Sequence, residues 1–383
     1  MELNIRRAVA DDVWPIMALY QIHGSTFTDD QLFLDSSKLM PAVVSNDSAW
    51  MIAEKNGALA AVMSVLLDRV QGTAKISRMM VNPGDPDALE NLRYLLRHTM
   101  AMLFETEKTI DVFYSTTLTL PLRMQNLTLA CGFKIMGVFP NAIGADNTNL
   151  NGLTVYFREG IISEKRFSDF ELHSAIYPFF RLAQKNLGLA DVSIASDPSS
   201  NIIQKYEPLP PLELVRAPRL IENKYRKLKE HHQSLSINFY PFYIPNAIIC
   251  DPEQKIEIYV KIVDMLRFSA IIGEHLELFC DPVALYKAVF GIFRQQGSSY
   301  IEIINDAADI FGTECIINAG FTPCAYIPAF KKHGDTRRDY VVYGKSFEYQ
   351  CRPHQDIDPG YLEFFNEYIK LEKRNYFGNF PGA

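Results

Sequence analysis

A stretch near residue 130 recurs near residue 318, and this recurrence constrains the fold more than any other feature of the chain. Ala130-Cys-Gly-Phe-Lys-Ile-Met-Gly-Val-Phe-Pro-Asn-Ala142 aligns with Asn318-Ala-Gly-Phe-Thr-Pro-Cys-Ala-Tyr-Ile-Pro-Ala-Phe330. Gly132 and Gly320, Phe133 and Phe321, and Pro140 and Pro328 are each separated by 188 residues. Three matched residues say little alone. Upstream of both stretches, however, a strand, an Asp-Pro helix start and another strand follow in the same order. A repeat this long indicates duplicated domains, not a solenoid. At 383 residues the chain is long enough for two cores.

The local patterns fill in that frame. Leu3 to Arg7 alternates as a strand, and Val13, Ile16, Met17 and Tyr20 fall at helical spacing. Ala49–Glu54 and Leu59–Leu66 flank Asn56-Gly57, a strong hairpin signal because both residues tolerate positive φ. A strand over 74–81 precedes Asp85-Pro86, which suits a helix start. A strand over 110–115, a short helix, and strands near 138–140 and 153–157 complete the first half. Residues 170–187 read as a helix interrupted near Pro178, and five prolines between 198 and 218 read as a connecting arm. A basic helix is expected over 218–233. Strands follow at 236–240, 247–250, 255–261, 266–272 and 276–279, then a helix after Cys280-Asp281-Pro282. A strand at 300–304, a helix, and strands at 325–328 and 339–343 close the second half.

This order of elements resembles the GNAT N-acetyltransferase superfamily. The resemblance rests on Asn4-Ile-Arg-Arg-Ala-Val-Ala-Asp-Asp12, Ala53-Glu-Lys-Asn-Gly-Ala58, Met80-Val-Asn-Pro83 and Cys131-Gly-Phe133. It covers 1–157 and, more faintly, 235–347. It implies an α/β (α+β) chain of two GNAT-like domains, each a mixed, mostly antiparallel central sheet flanked by helices. The expected division is 1–160 for the first domain, 161–234 for a helical and proline-rich connection, 235–350 for the second domain and 351–383 for a helical tail.

The resemblance also implies acetyl-CoA or another acyl-CoA as cosubstrate, lying across the central strand and the next helix. Backbone amides at a helix N-terminus attract the pyrophosphate. The cofactor-binding residues this places are Met79, Met80, Val81, Asp87, Ala88 and Leu89, with Leu278–Cys280 and Pro282–Ala284 at the matching place in the second half. Two departures stand out. The family's Arg/Gln-x-x-Gly-x-Gly/Ala phosphate loop is missing from both halves, and Asp85, Asp87 and Glu90 crowd the first helix start. The family's frequent tyrosine acid is replaced by Thr128 and Ile316. No catalytic residue is assigned.

The other polar candidates each have a commoner structural role. Tyr156, Tyr343, Glu54 and Glu257 lie on predicted strands, where packing or a solvated face is the commoner role. Tyr177-Pro-Phe-Phe180 and Tyr240-Pro-Phe-Tyr243 read as core before acceptor pocket. No metal is expected at His231-His232, which lacks a spaced third ligand. Six scattered cysteines include no CxxC pair. The net charge of −7 argues against DNA binding, leaving only the basic run 216–229 as a local footprint. A signal peptide and a membrane-length apolar run are both missing, so the cytoplasm is the expected compartment.

The sequence therefore points to an acyl-CoA-dependent N-acyltransferase acting on a small amine. A catalytically degenerate binding or regulatory protein and a transferase not using CoA are the alternatives. A tRNA partner and a homo-oligomer both stay open.

Overall fold

A computed structural model describes residues 3–23, 31–118, 122–140, 142, 150–195, 205–231, 242–348, 353 and 356–377. Its first half runs β1 (Leu3–Arg7), α1 (Val13–His23), α2 (Gln31–Leu34), α3 (Ser36–Val44), β2 (Ser48–Lys55), β3 (Ala58–Asp68) and β4 (Thr73–Val81). It continues with α4 (Ala88–Ala101), β5 (Val112–Leu118), α5 (Leu122–Ala130), β6 (Lys134–Pro140) and β7 (Leu150–Phe157). A middle stretch holds β8 (Glu171–Leu172), α6 (Tyr177–Leu187), β9 (Ser193–Ile194), β10 (Glu213–Val215) and α7 (Pro218–His231). The second half follows with β11 (Ala247–Cys250), β12 (Ile256–Val263), β13 (Phe268–Leu276), α8 (Pro282–Gln295) and β14 (Tyr300–Asp306). It ends with α9 (Ile310–Asn318), β15 (Thr322–His333), β16 (Thr336–Ser346) and α10 (Pro359–Phe377).

Fourteen strands form one mixed, mostly antiparallel sheet in the order β1-β2-β3-β4-β5-β7-β6-β15-β16-β14-β13-β12-β11-β10. The order reads alike from either edge toward the seam between β6 and β15. Each half contains one parallel pair, β4 with β5 and β13 with β14. These ladders are short, Thr73–Ile76 on Val112–Ser115 and Phe268–Ala270 on Tyr300–Glu302. The cause lies on the opposite edge. Ser77 and Ile272 are skipped in the registers with β3 and β12, each four positions into its strand. An extra residue bends and twists a strand locally. Both central strands turn away from their parallel neighbours at the same point.

A single core spans the halves, joining Tyr114, Leu153 and Val155 to Ile301, Tyr326 and Val341. α6 and α10 cover the seam through contacts with both β6 and β15. Phe179 and Phe180 of α6 are fully buried, against Phe364 and Tyr326 respectively. Each such ring contributes about 1.5–3 kcal/mol of burial. Gly152 leaves room for α10, since a Cβ there would stand 2.2 Å from Tyr361. Phe242 and Tyr243 pack on Tyr114 and Phe268, again one from each half.

Several local expectations change. Pro178 sits at the start of α6 and not within it, where its missing N–H leaves no helical bond unmade. The second central strand runs unbroken over 268–276, so 276–279 is not a separate strand. The expected connection contributes β10 to the sheet edge through pairing with β11. The strand expected at 236–240 lies outside the described residues. Among the described residues no helix is long and apolar enough to cross a membrane.

Candidate functional site

The diverging end of β4 and the start of α4 bring the six sequence-designated residues to one corner of the first half. Met79 and Met80 are buried on opposite faces of the strand, in separate apolar clusters. Their side chains are core, which leaves backbone as what β4 can offer a ligand. Asp87 is the N-cap residue of α4, and Ala88 and Leu89 form its first turn. Asp87 makes no side-chain cap bond.

The Asp85 carboxylate closes the turn ahead of the helix. Its Oδ1 accepts from the Asp87 backbone N–H at 3.0 Å and from Lys55 Nζ at 2.9 Å. Its Oδ2 accepts from Asn91 Nδ2 at 2.7 Å. Lys55 also pairs with Asp87 at 2.8 Å. The Asp87 amide, followed by Lys55, holds the Asp85 carboxyl below its usual range. Upstream, Asn82 closes its own turn by accepting from Gly84 N–H at 3.0 Å. The Asp85 carboxylate thus holds the N–H of the N-cap residue, just before the first-turn amides to which the family resemblance brings a pyrophosphate. An incoming phosphate would meet the carboxylates of Asp85 and Asp87 beside it. The residues at this corner do not fit the diphosphate of coenzyme A.

The second half differs. Asp281 caps α8 by accepting from Val283 N–H at 2.9 Å, with Pro282 first in the helix. Beyond the bulge, Glu274 of β13 is 5% exposed, and its Oε1 has no hydrogen-bond partner. Burial pushes its pKa up to about 7, opposed by the Tyr286 phenol on α8. A carboxyl near neutrality is suited to general acid–base work. Sequence reading passed over it; the available signal was a lone charge interrupting the apolar run from Phe268 to Ile272 and beyond.

The remaining candidates resolve into structure. Tyr156 packs between Phe104 and Phe133, and the Tyr343 hydroxyl lies 2.9 Å from that of Thr313. Thr128 and Ile316 are fully buried, so no phenol stands at either position. Glu54 is bound by Arg6 at 2.8 Å. Glu257 is buried, pairs with Lys224 and receives the Tyr259 hydroxyl at 3.1 Å. Burial pushes the Cys315 thiol up to about 11 and raises Cys131 and Cys280, which disfavours thiolate chemistry. In the basic run, Arg216 pairs with Asp264 and Arg226 with Glu222. His232 lies outside the described residues, and among those described no three His, Cys, Asp or Glu side chains form a metal-binding group.

A cavity of about 610 Å³ lies elsewhere, between the C-terminal end of β7, the turn at Gly160 and the end of α6. Two of its cations are already engaged, Arg158 by Asp111 and Arg166 by Asp339. It is remote from the diverging end of β4, because Phe157 pairs with Val112 at the start of β5.

No family model matches the chain, and no curated protein matches it in sequence. Among solved structures, it is similar to mutant forms of the spermidine/spermine N-acetyltransferase SpeG from Vibrio cholerae. That match has 15% identity and a TM-score of 0.34, covering 41% of this chain and 95% of the other. The PaiA N-acetyltransferase from Thermoplasma acidophilum, in complex with coenzyme A, gives 12% identity and a TM-score of 0.34, covering 41% and 100%. The ribosomal-protein-S18-alanine N-acetyltransferase from Escherichia coli gives 14% and 0.35, covering 43% and 100%. The strand order, a parallel central pair that diverges at a bulge and a helix followed by Gly-Phe recur in the two halves.

Proposed function

We propose that the protein is a binding or regulatory module on a GNAT-like scaffold, in which the first half no longer captures coenzyme A by its diphosphate. The observation that carries this reading is the Asp85 carboxylate on the Asp87 amide, neutralised by Lys55. What the corner keeps is the diverging backbone of β4, suited to an extended ligand bearing amide groups. Specificity for such a ligand would come from strand-like pairing and not from anion binding.

Thermal melts with acetyl-CoA, free CoA and acetyl-pantetheine test the reading. The expected result is that the CoA species stabilise the protein no more than acetyl-pantetheine does. A saturable shift specific to CoA, about 2.7 kcal/mol at a hundred times Kd, would overturn it.

A second reading, acyl transfer to a small amine, is favoured by Glu274 alone. A buried carboxyl with a pKa of about 7 on the diverging end of β13 is able to take a proton from an ammonium acceptor. Loss of amine acylation in Glu274→Gln, with the fold intact, would support it; unchanged acylation would remove it.

A further inference from the structure

The cavity of about 610 Å³ takes no part in either reading above. It forms where three chain reversals meet, at Gly132 after α5, Gly160 after β7 and Gly188 after α6. The ladder between β6 and β7 stops at Lys134 and Val155, so β7 runs on past its partner into the cavity wall. Val155, Phe157, Ile162, Leu187 and Leu189 make much of that wall apolar. Sites for small organic molecules commonly enclose about 300–1,000 Å³. The polar part of the wall is cationic: Lys134, Arg158 and Arg166 stand against one lining carboxylate, Glu159. Glu164 lies beside Gly160, outside the lining. Asp339 neutralises Arg166 at 2.6 Å. Arg158 is less well served. Its partner Asp111 also takes Arg337 at 2.9 Å and Lys332 at 3.5 Å, so one carboxylate is shared by three cations. Burial lowers the Arg337 pKa, and the like charge of Arg158 adds to the fall. The Arg158 Nε is shielded from solvent and has no hydrogen-bond partner. Lys134 is exposed, and no carboxylate among the described residues pairs with it.

We propose that this cavity binds an organic anion, a single negative group carried on an apolar or aromatic body. The anion pairs with Lys134 and the under-neutralised Arg158, and the body lies along the apolar wall. Charge-assisted bonds from a guanidinium fix the anion's orientation, while burial of the body supplies affinity. Both arginines of the cavity are tied to β16, Arg166 through Asp339 and Arg158 through the Asp111 it shares with Arg337. An occupant therefore touches the side chains that anchor the first half and the connection to the second half.

Anilinonaphthalene sulfonate, one sulfonate on an aromatic body that fluoresces out of water, is a direct probe. Titration of the full chain under native conditions should show saturable binding. Lys134→Glu reverses a charge and Ala190→Trp fills space, both at exposed lining positions where the fold tolerates change. Each should weaken binding at least fivefold with an unchanged circular dichroism spectrum. Trp14→Ala, at an exposed aromatic residue outside the lining, should leave binding as it was. No saturable binding would overturn the proposal, as would binding weakened by Trp14→Ala. Weakening by Ala190→Trp alone would mean an apolar pocket without charge selection, and weakening by Lys134→Glu alone a surface ion pair; either also overturns it.

Displacement of the probe separates the two parts of the ligand. Octanoate should displace it at least tenfold better than octanamide, which lacks the charge, or inorganic phosphate, which lacks the body. Anything short of that preference would overturn the proposal. None of the altered residues lies at the start of α4, so failure here leaves the reading of Asp85 untouched.

Discussion

Gly137 of β6 and Ala325 of β15 face each other across the seam so closely that a Cβ on Gly137 would stand 2.2 Å from that of Ala325. They are the registered pair that joins the two halves of the sheet. The requirement is for space, not backbone conformation, because Gly137 is not among the positive-φ glycines. Gly137→Ala should therefore destabilise the protein by about 1–3 kcal/mol through overpacking. Ala325→Gly in the same chain should return only part of the loss, because the added Cβ would also stand 2.5 Å from the Ala325 Cα and 2.7 Å from the Cys324 carbonyl oxygen. Urea unfolding of the two single variants and the double variant checks this, and an additive double variant would contradict the direct contact.

A second tie crosses the halves through charge. Arg337 of β16, 2% exposed, reaches Asp111 at 2.9 Å, the Gln71 carbonyl at 2.9 Å and the Ala329 carbonyl at 2.6 Å. Burial lowers its pKa to about 10, with Asp111 opposing the shift. Without Arg337, Asp111 keeps Arg158 at 2.5 Å and Lys332 at 3.5 Å, while the Gln71 and Ala329 carbonyls lose a charged donor. Arg337→Met should cost about 1.5–3 kcal/mol. It should also release the turn between β3 and β4 from β15, seen as faster proteolysis after Arg69. A loss below 1 kcal/mol with unchanged cleavage would show that the pair adds little.

The sequence made the halves legible because their signals are local. Asn56 and Gly57 take positive φ at the expected hairpin turn, and Gly132 and Gly320 take positive φ after their helices. Asp281-Pro282 starts α8 as its residue types suggest, whereas the first helix starts at Ala88, later than Asp85-Pro86 implied. The seam was not legible. Pairing between β6 and β15 depends on two strand edges almost two hundred residues apart and on a glycine that reads as an ordinary small residue. The bridge between Glu207 and Cys280 was hidden for the same reason, since a proline-rich stretch carries no mark of the segment it will lie against. Asp85 was read correctly as acidic crowding, but its position on the helix amide follows from the turn built by Asn82.

That turn supplies the third prediction. Asp85→Ala leaves the Asp87 amide and Lys55 without their shared acceptor and should cost about 0.5–2 kcal/mol. It also removes one of the three carboxylates, with Asp87 and Glu90, that crowd the start of α4. The variant should gain stability in phosphate relative to chloride at matched ionic strength, by about 0.3–1 kcal/mol. The unmodified protein should not. Equal phosphate responses in the two proteins would mean that Asp85 does not occupy an anion site.

Glu274 gives a pH dependence whose sign follows from its environment. Its folded pKa of about 7 lies above the ordinary value of 4.5 because burial penalises the charged form. Below pH 4.5 both folded and unfolded chains hold the proton, and the residue costs nothing. Between 4.5 and 7 the unfolded chain releases it first, so stability falls as pH rises. Above 7 the full penalty, about 3 kcal/mol, is present. Glu274→Gln keeps the shape and removes the charge. Its advantage over the unmodified protein in urea unfolding should be near zero at pH 4.5 and about 3 kcal/mol at pH 8. Other titrating groups act alike in both proteins and cancel from the difference. An advantage independent of pH would show that Glu274 titrates normally. It would then be no better suited than a surface carboxylate to accept a proton from an amine at the diverging end of β13.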